Sequence, residues 1–85
     1  MTKVTKHENR QLRSFLVNDK SVNTIDNDGH RGWTHDGKKY VASLTKLTPV
    51  GNIIVVQVEE GRVVRKGRFR PRTKLGEVYK NIPSI

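Results

Sequence analysis

Apolar and polar positions alternate through much of the second half of the chain, and the period changes near its end. From Lys39 to Leu47 the alternation puts Tyr40, Ala42 and Leu44 on one face of a strand, with Val41, Ser43 and Thr45 on the other. Asn52 to Val58 is the most hydrophobic stretch, and its β-branched run predicts a strand buried on both faces near its start. A further strand follows from Arg62, with Gly67 expected as a bulge that divides it. After Pro71 the apolar residues Leu75, Val78, Tyr79 and Ile82 fall at helical spacing, so a short helix is predicted there. Thr73 is its expected N-cap and Pro83 its end, while Gly76 weakens it by roughly 1 kcal/mol.

Turn chemistry orders these strands. Both positions of a type I′ hairpin turn need positive φ, which makes Asp36-Gly37 a strong hairpin signal that pairs His35 with Lys38 and Trp33 with Tyr40. Pro49-Val50-Gly51 suits a turn, with the glycine left-handed. Glu59-Glu60-Gly61 suits a third, read as a type I turn ending in a glycine bulge, which places Val58 opposite Arg62 and Val56 opposite Val64. Earlier in the chain, Leu12, Phe15 and Leu16 sit at helical spacing, with Arg10 and Arg13 off that face. Asn18 to Gly29 is turn-rich, and Val22 and Ile25 are expected to pin it to the core. Within it Asp26-Asn27-Asp28-Gly29 is read as a turn. A calcium loop would need an acid where His35 falls. Met1 to Lys6 has no periodicity and is expected to be a loose basic arm.

The fold class that follows is mainly β: one small domain, a four-stranded antiparallel meander, or a small barrel if it closes, with a short helix at each end. With 85 residues and about a third of them hydrophobic, the core is thin. The absence of cysteine excludes disulfides and thiolate-bound zinc. The N-terminal residues lack the apolar stretch of a signal peptide, and Ile53 to Val56, the longest apolar run, is far short of a membrane span. A cytoplasmic protein is expected.

Charge changes the picture most. The chain carries a net +9, the balance of a nucleic-acid binder or of a partner for an acidic protein surface. Seven of the seventeen basic residues lie between Arg62 and Lys74, without one acid among them. Arginine offers a planar fork that meets phosphate or guanine bidentately. Lysines on an edge strand that only prevent aggregation would explain a few of these charges. They would not explain five arginines between Arg62 and Arg72. Arg65, Lys66, Arg68, Arg70, Arg72 and Lys74 are therefore candidate contacts, with Arg68, Arg70 and Arg72 in a row of period two. A second cluster is expected around the first hairpin, where Arg31, Lys38 and Lys39 interleave with Trp33 and Tyr40. Bases could stack on those rings, although in so small a core a cross-strand pair on the core face is the simpler account of Trp33.

Catalytic chemistry has less to build on. His30, His35 and Glu59 or Glu60 are the residue types of a metal-independent ribonuclease, but they sit in turns and nothing in the sequence brings them together. No pattern calls for a metal, a cofactor or a small-molecule substrate, and no enzyme activity is expected.

One resemblance is of layout. Arg31-Gly32-Trp33, then Lys39-Tyr40-Val41-Ala42-Ser43-Leu44, then Gly61 and Arg62 to Phe69, then the apolar helix pattern, resemble the plant ethylene-response type of DNA-binding domain and the arm-binding domains of phage integrases. That resemblance implies a three-stranded sheet packed on a C-terminal helix, its face entering the major groove. This chain departs from it in the extra strand at Ile53 to Val58 and in a short terminal helix holding Gly76. A small barrel of the Tudor or KOW kind fits the strands as well.

The expectation is a small protein binding DNA or RNA through phosphates. The alternative is a small phage-type regulatory or inhibitor protein that docks on an acidic or nucleic-acid-binding surface of a larger protein.

Overall fold

A computed structural model describes residues 6–26, 28–43 and 51–85. Five antiparallel strands form one open sheet in chain order: β1 (Asn23–Thr24), β2 (His30–His35), β3 (Lys38–Ser43), β4 (Ile53–Glu59) and β5 (Arg62–Phe69). Helix α1 (Leu12–Asn18) precedes them and α2 (Leu75–Asn81) follows. The meander and both helices match the pattern in the sequence, and the sheet is open where a barrel was the alternative. The fifth strand, β1, is two exposed polar residues with no hydrophobic signal of its own. The expected N-terminal arm up to Thr5, the continuation of the third strand over 44–47 and the Pro49-Val50 part of its turn lie outside the described residues.

The first hairpin has the predicted register, His35 opposite Lys38 and Trp33 opposite Tyr40, across Asp36 and Gly37 at φ 54° and 76°. The third does not. Its loop is the two residues Glu60 and Gly61, both left-handed, so Glu59 faces Arg62 and Val58 faces Val63. The register then shifts between Gln57 and Val58, so that Gln57 faces Arg65 and Val56 faces Lys66. The irregularity is here and not at Gly67, which pairs in step with Val55. Gly67 is needed for another reason. A Cβ there would stand 2.8 Å from the Phe69 ring and 3.1 Å from Pro83.

Both helices pack on one face of the sheet. The core comprises Leu12, Phe15 and Leu16 from α1, Trp33, Tyr40, Ala42, Ile53 and Val55 from the strands, and Leu75, Val78 and Ile82 from the end of the chain. Val22 packs against it as expected, whereas Ile25 is 54% exposed and lies over Gly32 on the opposite face. Strand β4 is likewise buried on one side only: Ile53, Val55 and Gln57 are covered, and Ile54, Val56 and Val58 are half-exposed.

Neither helix has a side-chain cap. Gln11 and Lys74, not Thr73, occupy the N-cap positions and make no capping bond through their side chains. Instead the first two amides of each helix are satisfied by the backbone entering the other. Leu12 and Arg13 donate to the carbonyls of Thr73 and Pro71, and Leu75 and Gly76 donate to those of Arg10 and Glu8. Beyond α2 the chain turns along the free edge of β5, with Lys66 donating to Pro83 and Ile85 to Val64, which covers part of that edge.

Candidate anion-binding surface

Strand alternation distributes the basic residues. On β5, Arg65 shares the helix-covered side with its partner Gln57, close enough to Tyr40 to bear on the phenol's ionisation. Lys66 and Arg68 point to the open face beside Val56 and Ile54. The strand ends at Phe69, and Arg70 to Thr73 form a turn closed by a 3.0 Å bond from Thr73 N–H to the Arg70 carbonyl. The row of period two thus stops at Arg68. Arg70 and Arg72 are carried round the turn toward α1.

There they meet a residue that sequence reasoning placed only on a polar helix face. Arg13 lines one open cleft of about 770 Å³ with Arg70, Arg72, Pro71 and Asn52. Arg13 and Arg72 also line the adjoining cleft with Gln11, Ser14 and Pro71. Among the described residues no carboxylate lines either one. The bond from Arg13 N–H to the Pro71 carbonyl, 3.0 Å, fixes the helix against the turn that carries Arg70 and Arg72.

The second cluster does not assemble as expected. Trp33 is 3% exposed, with Nε1 donating to Tyr79 Oη at 2.9 Å and its ring stacked on Tyr40 at 5.5 Å. The ring is core. Arg31 lies on the same side of β2, half-buried, with its guanidinium reaching the His30 carbonyl. Lys38 sits at the opposite end of that strand pair, and Lys39 faces the open side. Both lysines line a groove with Glu59 and Glu60 from the neighbouring turn, which offsets their charge. Lys74 is engaged by Asn9 Oδ1 at 2.9 Å. The structure therefore brings Arg70 and Arg72 together with Arg13, and puts Lys39, Lys66 and Arg68 on one face. Arg31, Lys38, Arg65 and Lys74 stand apart from both groups.

Among the described residues, the one guanidinium paired with a carboxylate is Arg10, bound to Asp19 and lying over the Phe15 ring. Hydrogen bonds from Ser21 and then the Arg10 charge hold the Asp19 carboxyl below its ordinary range. This pair is structural, closing α1 onto the turn that follows it.

The catalytic candidates separate. His30 and His35 occupy opposite ends of β2 and opposite faces of the sheet. His30 Nδ1 lies 2.7 Å from Asp26 Oδ2, and Asp26 Oδ1 accepts from the Asp28 and His30 amides, which builds the expected turn. His35 instead stacks on Tyr79 at 4.2 Å and on His7 at 4.6 Å. His7 Nε2 is 2.8 Å from Tyr79 Oη. Because Trp33 already donates to that oxygen, the Tyr79 proton is available to a neutral His7. Burial, and then the neighbouring His35, lower the His7 pKa, while burial raises that of Tyr79.

The open face has a second character. Val41, Ile54 and Val56 line an apolar trough of about 290 Å³ with His30, Ala42 and Ser43. Val58 and Val63 continue the apolar strip, and Lys39, Lys66 and Arg68 stand beside it.

Compared with known proteins, the chain matches no family model, no curated sequence and no solved structure. No helix among the described residues is long and apolar enough to cross a membrane.

Proposed function

We propose that the protein is a cytoplasmic nucleic-acid-binding protein that holds phosphates along the end of β5. The contacts would be Lys66 and Arg68 on the open face, Arg70 and Arg72 in the turn beyond, and Arg13 from α1. One observation supports this above the rest. Three arginines, on two elements tied together by backbone hydrogen bonds, line the clefts at the end of β5, with no carboxylate among the described lining residues. Like charges lining one cleft repel one another, and a polyanion would relieve that repulsion. Binding would be dominated by counterion release, its log-log salt slope about −0.9 per phosphate neutralised on duplex DNA. Replacing Arg68, Arg70 and Arg72 by Ala should weaken binding to single- and double-stranded oligonucleotides and flatten that slope by roughly 2 to 3. Unchanged affinity and slope in fluorescence anisotropy would reject the reading.

A second reading, a regulatory or inhibitor protein seated on a larger protein, is favoured by the apolar strip of the open face. Val41, Ile54 and Val56 suit a protein surface better than a phosphate backbone. A pull-down from nuclease-treated lysate separates the two. A stoichiometric protein partner lost in Val56→Asp and kept in Arg72→Ala favours the second.

A further inference from the structure

Resting on the nucleic-acid reading, we infer that the Arg13, Arg70 and Arg72 cleft is a subsite for the terminal phosphate monoester of a strand, distinct from the phosphodiester contacts along β5. The chemistry of the donors separates the two. Lys66 and Arg68 occupy alternate positions of one strand, about 7 Å apart along it, so they present cations singly on the sheet face. The cleft is lined by three arginines from two elements, beside Pro71. A phosphodiester carries one negative charge. A terminal monoester carries about −1.5 to −2 at neutral pH and exposes three strong acceptor oxygens. The denser cluster therefore matches the denser anion, and guanidinium forks can take those oxygens in pairs.

The surroundings support a ligand of this kind. Gln11 and Ser14, which line the adjoining cleft, and Asn52, which lines the first, are polar and uncharged, and among the described residues no carboxylate lines either cleft to displace an anion. The amides of Leu12 and Arg13 are not the donors, since they already go to the carbonyls of Thr73 and Pro71. Recognition falls to the side chains. Position then selects a strand end over other monoesters. The cleft lies at the end of β5, where the strand bearing Lys66 and Arg68 runs out into the turn that carries Arg70 and Arg72. A strand lying along β5 would bring its last phosphate there.

The test compares one fluorescent oligonucleotide with a terminal phosphate and with a terminal hydroxyl, for each end, by anisotropy at fixed salt. The phosphorylated strand at one end should bind about tenfold tighter, the gain expected of an added charge-assisted hydrogen bond. Arg13→Gln, at an exposed position, should abolish that advantage, so that the phosphorylated and hydroxyl strands bind equally. Lys66→Ala should weaken both strands equally. Equal binding of the two strands by the wild-type protein overturns the subsite and leaves the nucleic-acid reading standing. Failure of every oligonucleotide to bind overturns both. A phosphoserine peptide that competes as well as the phosphorylated strand would assign the cleft to protein phosphate instead.

Discussion

The two faces of the sheet are built from the same strands and have opposite chemistry. On the covered face Trp33, Tyr40, Val55 and Ile53 meet Phe15, Leu75 and Val78, and among the described residues no buried side-chain nitrogen or oxygen lacks a hydrogen-bond partner, Trp33 Nε1 donating to Tyr79 Oη. On the open face the equally β-branched Val41, Ile54 and Val56 remain half-exposed beside Lys39, Lys66 and Arg68. The contrast teaches that hydrophobicity along β4 is not a measure of burial. Two short helices can cover only one side, and the apolar residues left on the other are available for contact.

The largest test of this contrast uses adjacent residues of one strand. Val55→Asp puts a carboxylate into a site with 0% exposure and should cost about 4 kcal/mol or more, leaving the chain largely unfolded. Val56→Asp should cost about 1 kcal/mol in urea denaturation, because its carboxylate stays hydrated. Equal losses would show that the open face is as structural as the covered one. Gly67→Ala should come next, at roughly 1 to 3 kcal/mol, since the added methyl forces the Phe69 ring and Pro83 away from β5. The smallest effect is on pH. The His7 pKa is lowered from 6.5 in the folded protein, so on acidification the unfolded chain takes up its proton first. Stability should then fall as pH drops below about 6.5 and level off below the folded value. His7→Gln should flatten that part of the Tm–pH curve, and an unchanged curve would remove His7 from the account.

The parts of the fold legible in the sequence were those fixed by local chemistry. Asp36 and Gly37 both accept positive φ, so the first hairpin and the Trp33–Tyr40 pair could be read residue by residue. The other short hairpin turn asks Glu60 for the same conformation, which costs a side-chain-bearing residue about 1 to 2 kcal/mol. A loop with Glu59 in the turn was therefore the natural reading, and it displaced the register. Strand β1 had no apolar residue to announce it. The candidate surface was half legible. Charge density pointed to Arg70 and Arg72, but Arg13 is separated from them by almost the whole sheet in sequence. Only the backbone bonds between the two helix starts bring it close. No side-chain cap marks those bonds.

That mutual capping has a consequence for how the molecule assembles. Each helix is a two-turn segment, too short to persist alone, and its first amides find acceptors only in a segment more than fifty residues away. The hairpins need no such closure, so they should form first and the helices last, with the ends of the chain joining in a single late event. In native-state hydrogen exchange, the amides of Leu12, Arg13, Leu75 and Gly76 should then open together, at lower free energy than those of the central strands. Cutting away either terminal segment would release both helices, and with them the Arg13 cleft, in one step.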